Sequence, residues 1–337
     1  MLDEVIAEYE SSNDVNGIQL SVASWFDQWL EIVKSDVRPN TYRSYCGNMR
    51  NHIIPYFAER KILLCDLTSI HLEDFYRHKV SSCKMESEEN LSATTIKHFH
   101  ENINKALEDA VKRGFIPSNP ARRAKPPKVE KYRAHFINLD EVSDVLSLFG
   151  GTVLEIPVTL CAVYGLRRSE AVGLKWSCVD FVNRTITIAE TLQQGIGGDY
   201  SDKTKTESSY RTLPFTESVE ILLRGQRERQ QELSSQLGTG YQSSDYVCTW
   251  EDGHVVSPNY LSANFHRIVS KHGYTIRLHD LRHSAASNLL AMGFSIVEVS
   301  SWLGHSSPTT TLSFYSHVNV DRSRRDMANA LNGVLTP

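Results

Sequence analysis

Six side chains in the carboxyl-terminal half carry chemistry by type and keep a definite order. They are Arg167 in GLRRSE, Lys205 in a polar segment, His279 and Arg282 in HDLRHS, His305 in LGH, and Tyr315 in TTLSFY. Arginine is always charged, and its planar fork can hold an oxyanion such as phosphate through two bonds. Histidine exchanges protons near neutral pH. A tyrosine hydroxyl, with a reference pKa of about 10, attacks only once positioned or relieved of its proton. Each piece alone has a plainer explanation: an arginine before a helix start is commonplace, and a tyrosine on a helix face is usually half-buried packing. The run LGHSSPTTTLSFYSH is more specific, with threonines five and six positions after the histidine and a tyrosine ten after it.

Other chemistries find no support. The chain has no H-E-x-x-H zinc pattern, no G-x-x-x-x-G-K-[ST] loop and no G-x-G-x-x-G turn, so neither a metal nor a nucleotide or other cofactor is expected. The spacing of His279 and His283 could chelate a metal, but the expectation is that it does not. Six cysteines are scattered singly, as reduced thiols would be. No apolar run is long enough to span a bilayer, and the first 16 residues hold five acids and no base, the reverse of a secretory leader. A soluble, cytoplasmic protein without a membrane partner is expected.

Net charge is −4, from 36 basic and 40 acidic residues, which at first weighs against a polyanionic partner. The acids are segregated, however. Between Val111 and Arg133 eight bases stand against one acid, Glu130. Such a stripe suits a polyanion, although a solvated linker would read the same way.

The elements that must position these residues fall into two groups. Residues 20 to 114 read as four helices. Val22, Phe26, Trp29 and Val33 share one face of the first. The second takes Asn40-Thr41 as its cap, aligns Tyr42, Tyr45, Met49 and Ile53, and stops before Pro55. The third begins near Thr68-Ser69 and aligns Leu72, Phe75 or Tyr76, and Val80. The fourth, capped by Ser92, repeats Ile96, Phe99, Ile103, Leu107 and Ala110 and ends at Gly114. Pro117, Pro120, Pro126 and Pro127 then favour extended chain. Past Asn138 the pattern is mixed. Leu139-Asp140 reads as a staple and cap for one helix, and Ser169 caps a short one. A strand over 185–189 returns at 210–215, with a polar, glycine-rich loop, 193–209, between them. Further helices are expected at about 217–236, 258–271, 279–292 and 296–303. The domain reading is an acidic extension (1–19), a helical domain (20–116), a basic linker (117–134), a second domain (135–319) and a tail (320–337).

With these motifs in view, the chain resembles the tyrosine recombinase, or phage integrase, family, and within it the integrases of conjugative transposons and phages of Gram-positive bacteria. The likeness runs from about Leu20 to Asn319. It includes RPNTYRSYCGNMRNHIIPYF and FIPSNPA in the amino-terminal half. The resemblance implies an all-α, SAM-like core-binding bundle followed by a mixed α+β, mainly helical catalytic domain with a small antiparallel sheet. It also implies a DNA-binding enzyme of mobile genetic elements that cuts and rejoins strands through a 3′-phosphotyrosine intermediate. In that scheme Tyr315 is the nucleophile, Arg167 and Arg282 hold the phosphate with His305, His279 is the base, and Lys205 protonates the leaving oxygen. Lys203 is the alternative, because the K-T dipeptide occurs twice; Lys205 fits the family's KT…RT-x-P spacing better.

DNA contacts are expected from Thr41, Arg43, Arg122, Arg123, Lys125, Lys128, Lys131 and Arg133. Partners would be double-stranded core sites, three further copies in a tetramer on DNA (a monomer when free), and an accessory directionality factor. The tail, with Val318, Met327, Ala328, Ala330 and Leu331, would form one amphipathic helix docking on a neighbouring protomer. Many relatives carry an additional arm-type DNA-binding domain before the bundle. The acidic start does not resemble one, so the expectation is that it is naturally missing or removed. Strand nicking and resealing in the manner of a type IB topoisomerase, and DNA binding without catalysis, remain as alternatives.

Overall fold

A computed structural model describes residues 20–81, 91–129, 135–195, 198–203, 209–307 and 309. The chain divides into two compact units, Met1–Tyr132 and Arg133–Pro337.

The first unit is helical. Helix α1, Val22–Val33, starts at Ser21, whose hydroxyl accepts from the Ser24 amide. Its buried face carries two tryptophans, and a buried indole N–H needs a partner. Trp25 donates to the Ala106 carbonyl and Trp29 to Asp109, each at 2.9 Å. Both partners lie on α5, Ala93–Lys112, so the apolar stripe of α1 and its polar atoms select the same neighbour. The expected end of the second helix before Pro55 is overturned. Helix α2 (Pro39–Asn48) runs through a wide turn, Met49–Ile53, into α3 (Ile54–Arg60). A π turn shifts the hydrogen-bond partners by one residue, so a proline with no N–H to give can sit in the first turn of α3. Asn40-Thr41 is likewise not the cap; Pro39 already occupies the first turn, where its fixed φ is favourable. On α4, Ser69–Ser81, the residues Leu72, Phe75 and Tyr76 are buried while Val80 is exposed.

The proline-bearing stretch is not extended from its start. Pro120–Arg122 is a short 3-10 turn, and Ile116, Ala121 and Ala124 are buried in the bundle core. Asn119 donates to Asn104 and Glu108, and Arg122 grips Glu108 through bonds of 2.6 and 2.8 Å. Small apolar residues between the prolines therefore hold the chain on the bundle through residue 124.

The second unit is mixed α and β. Helix α6, Leu139–Ser147, is capped by Asn138 rather than by Leu139-Asp140, because Asn138 and Glu141 satisfy each other's amides. Helix α7, Glu155–Val163, leads to the short α8, Arg168–Val172. Strands β1 (Val179–Asp180), β2 (Thr185–Ile188) and β5 (Arg211–Pro214) form an antiparallel sheet in the order β1-β2-β5, with Ile186 opposite Leu213 and Ile188 opposite Arg211. Between β2 and β5, where a loop was expected, β3 (Glu190–Gly195) pairs with β4 (Gly198–Lys203). Polar side chains hid this hairpin, because backbone pairing does not require an apolar face. Helices α9 (Glu217–Leu237), α10 (Pro258–Lys271), α11 (Leu278–Ala291) and α12 (Ile296–Leu303) complete the unit. Its core includes Phe149 stacked on Phe265 at 5.5 Å. Among the described residues, no helix is long and apolar enough to cross a membrane.

Candidate active site

The last turn of α12 organises the site. Helix carbonyls at a carboxyl terminus lack intrahelical partners and carry partial negative charge, so cations are favoured there. Three arginines from three other elements answer three successive carbonyls. Arg211 on β5 donates to Trp302 at 2.8 Å, Arg282 on α11 to Leu303 at 2.7 Å, and Arg167 at the start of α8 to Gly304 at 3.2 Å. Gly304 adopts φ 68°, a left-handed stop, and His305 follows it directly.

Gly165 completes the cradle. Its carbonyl accepts from Arg282 at 2.6 Å, its φ is 63°, and a Cβ placed there would lie 2.4 Å from Leu303 Cδ2. The glycine of GLRRSE thus serves close packing beside the guanidinium. The expected cap of α8, Ser169, is also corrected. Glu170 reaches back to the Arg167 amide at 3.0 Å, and Arg167 takes the extended conformation before the helix. In HDLRHS, Asp280 does the same for α11 by accepting from the Arg277 amide at 2.8 Å.

The charges do not balance. Glu170, 1% exposed, pairs with Arg167 at 2.6 Å and Arg211 at 2.9 Å. Burial pushes its carboxyl up, but Arg211 and then Arg167 outweigh that and hold it below the usual range. Arg282, 3% exposed, has no ion pair among the described residues. Burial, then the Arg167 charge, pull it down to about 9, still protonated at neutral pH. Burying a charge without a counter-charge costs several kcal/mol, so three guanidiniums around one carboxylate make a centre that an anion would stabilise.

The histidines are poised neutral. Burial, then Arg282 and Arg167, take His305 down to about 4. His279 is lowered by partial enclosure and then by Arg282. His283 lies edge-on to His279 at 4.7 Å and is lowered to about 4 by burial, then by His279. A cleft of about 570 Å³ opens at Arg167 and His279 and is also lined by Arg168, Ser169, Ser262 and Arg277, with no carboxylate among its lining residues.

The structure thus gathers Arg167, His279, Arg282 and His305 in one place. Tyr315 and Lys205 lie outside the described residues, as do Lys131 and Arg133. Lys203 is in β4, paired in register with Glu190. Thr41, Arg43, Arg122, Arg123, Lys125 and Lys128 belong to the amino-terminal unit. Thr41, Arg123, Lys125 and Lys128 are exposed, Arg43 donates to Asn40 at 3.2 Å, and Arg122 is engaged with Glu108. Arg211 was not singled out from the sequence. Its signal was the arginine of RT-x-P, an inward position on a strand whose burial alternates.

A helical bundle followed by a mixed domain whose paired arginines and neutral histidines surround an anion-seeking centre defines the tyrosine recombinase class. Two family models match: the phage integrase family over residues 149–322 and the phage integrase N-terminal SAM-like domain over 21–80. The chain belongs to the phage integrase family and is a site-specific recombinase. It is 26% identical to a tyrosine recombinase XerC-like protein of Caldanaerobacter subterraneus, over 97% of this chain and 88% of the relative. It is 24% identical to the ICEBs1 integrase of Bacillus subtilis, over 97% and 87%. Its fold matches the Tn1549 transposon integrase, solved with a circular intermediate DNA, with a TM-score of 0.75 at 20% identity, covering 92% of this chain and 99% of that one. It also matches lambda integrase, solved as a tetramer on a Holliday junction, with a TM-score of 0.63 at 18% identity, covering 88% and 78%.

Proposed function

We propose that this recombinase cleaves and rejoins duplex DNA through a 3′-phosphotyrosine intermediate, without ATP or a metal ion. The observation that supports this most is the uncompensated arginine centre at the end of α12, whose last residue, Leu303, is twelve before Tyr315. Arg167 and Arg282 would hold the non-bridging oxygens of the scissile phosphate, where charge builds in the transition state, with a further hydrogen bond from His305. Tyr315 attacks phosphorus, and the 5′ oxygen leaves. His279, neutral at working pH, accepts the phenolic proton. Lys205, or Lys203 in its place, protonates the leaving oxygen. The phosphotyrosine bond keeps the energy of the broken one, so another 5′ hydroxyl can attack and reseal.

By likeness to the integrases solved on DNA, the partners are double-stranded core sites and further copies of this chain in a tetramer. Binding would rest largely on phosphate contacts by lysine and arginine and fall steeply with salt. Directionality would come from an accessory factor, and the tail would dock in trans.

The test is a nicked suicide duplex bearing the core site, incubated in chelator. Wild type is expected to form a covalent adduct, and Tyr315→Phe none. Recombinant joints between two duplexes are also expected; plasmid relaxation alone would indicate a nicking-resealing enzyme, and binding without adduct a non-catalytic protein.

A further inference from the structure

Arg211 differs from the other two arginines in where its nitrogens point. Nε donates to the Trp302 carbonyl at 2.8 Å, Nη1 to the Ser209 carbonyl at 3.0 Å, and Nη2 to Glu170 at 2.9 Å. The side chain is 8% exposed, and every nitrogen is already committed to protein. Its Nε is engaged as well as both terminal nitrogens, whereas among the described residues Arg167 and Arg282 bond through terminal nitrogens alone. What it joins are the pieces that carry the chemistry: Glu170, which holds Arg167 by side chain and amide; the last turn of α12, which delivers His305; and Ser209, at the end of the segment containing Lys205.

We propose that Arg211 is the positioning residue of the strand-cleavage reaction, one guanidinium setting the register of Arg167 and His305 against each other. The proposal rests on the phosphotyrosine reading above. Geometry is the reason an arginine is needed. A planar fork reaches three acceptors in three directions, whereas a lysine is a single point of charge and cannot span them. Displacement of catalytic groups by about an ångström lowers rate by about 10²-fold.

Charge is the second contribution of Arg211. The groups facing Glu170 are Arg167 from α8, Arg211 from β5, Arg282 from α11 and Cys161 from α7. Burial alone would raise the Glu170 carboxyl, and Arg211 is the largest influence opposing it. Without Arg211, Glu170 takes up a proton at higher pH and loosens its hold on Arg167.

The experiment measures single-turnover adduct formation on the suicide duplex from about pH 5 to 9, with DNA affinity and thermal unfolding in parallel. Arg211→Met is expected to cleave about 10²-fold more slowly, with DNA affinity unchanged and a new loss of rate toward acid. Adding Glu170→Gln to Arg211→Met removes that acid loss. Arg211→Lys keeps the wild-type pH profile, because Glu170 retains a cation, but runs about 10-fold slow. Arg211→Met cleaving within threefold of wild type on the same profile overturns the proposal. So does a rate loss matched by an equal loss of DNA affinity. If Arg211→Met does not fold, Arg211→Lys decides: slow cleavage with full affinity supports positioning, and wild-type rate overturns it. A wild-type protein that forms no adduct overturns this and the reading beneath it together.

Discussion

Arg122 in the amino-terminal unit and Arg282 in the catalytic unit are the same residue type used in opposite ways. Arg122 is exposed and meets Glu108 through two short bonds, charge against charge. Arg282 is buried, bonded among the described residues only to carbonyls, and crowded by two other guanidiniums with one carboxylate among the three. The first arrangement ties a chain segment to its domain. The second is incomplete in electrostatic terms, and an anion would complete it. Compensation, rather than the presence of an arginine, is what distinguishes Arg122 from Arg282.

The largest expected effect breaks this contrast directly. Arg167→Ala or Arg282→Ala should lower single-turnover cleavage by about 10²–10³-fold, while Arg122→Ala leaves it within about twofold, as for other exposed ion pairs. Comparable losses at Arg122 and Arg282 would end the distinction.

Next come paired glycines. Gly165→Ala combines a left-handed φ with a contact at Leu303 and should destabilise the protein by about 1–3 kcal/mol and slow cleavage. Gly114→Ala in the first unit meets nothing within 4 Å, so only its φ matters, about 1 kcal/mol, with cleavage unchanged. Denaturant unfolding and the adduct assay read both.

The catalytic unit should also be the acid-sensitive one. His283 and His305 are held near 4 in the folded state, against about 6.5 unfolded. The unfolded chain therefore binds more protons as pH falls. Stability present above about pH 6.5 is lost as pH drops toward about 4. Urea unfolding against pH should show this slope, and His305→Gln should flatten it.

The smallest effect lies in salt dependence. Arg123→Ala, Lys125→Ala and Lys128→Ala should each reduce the slope of log affinity against log salt by about 1. Arg122→Ala should leave it unchanged, because its charge is already matched.

The sequence made most of the site legible for a local reason. Arg167, His279, Arg282 and His305 each sit in a short run whose caps and turns are set by neighbours: Glu170 for Arg167, Asp280 for the start of α11, Gly304 for His305. Arg211 stayed hidden because its partners are distant, Glu170 lying 41 residues away and Trp302 91. The helical stripes were equally legible, down to the Ser92 cap of α5. Errors came where backbone bonding departed from side-chain pattern: the π turn before Pro55, the polar hairpin over 190–203, and the prolines of residues 117–124 that fold back onto the bundle.

In the proposed reaction a phenolic oxygen exchanges with a sugar oxygen on a phosphorus held by Arg167 and Arg282. Mass spectrometry of the proteolysed adduct, formed in chelator and without nucleotide, tests it most directly. One modified peptide is expected, with a 3′-phosphorylated strand on Tyr315 and a free 5′ hydroxyl on the departed strand. Linkage to another residue, or attachment through the 5′ end, would contradict it.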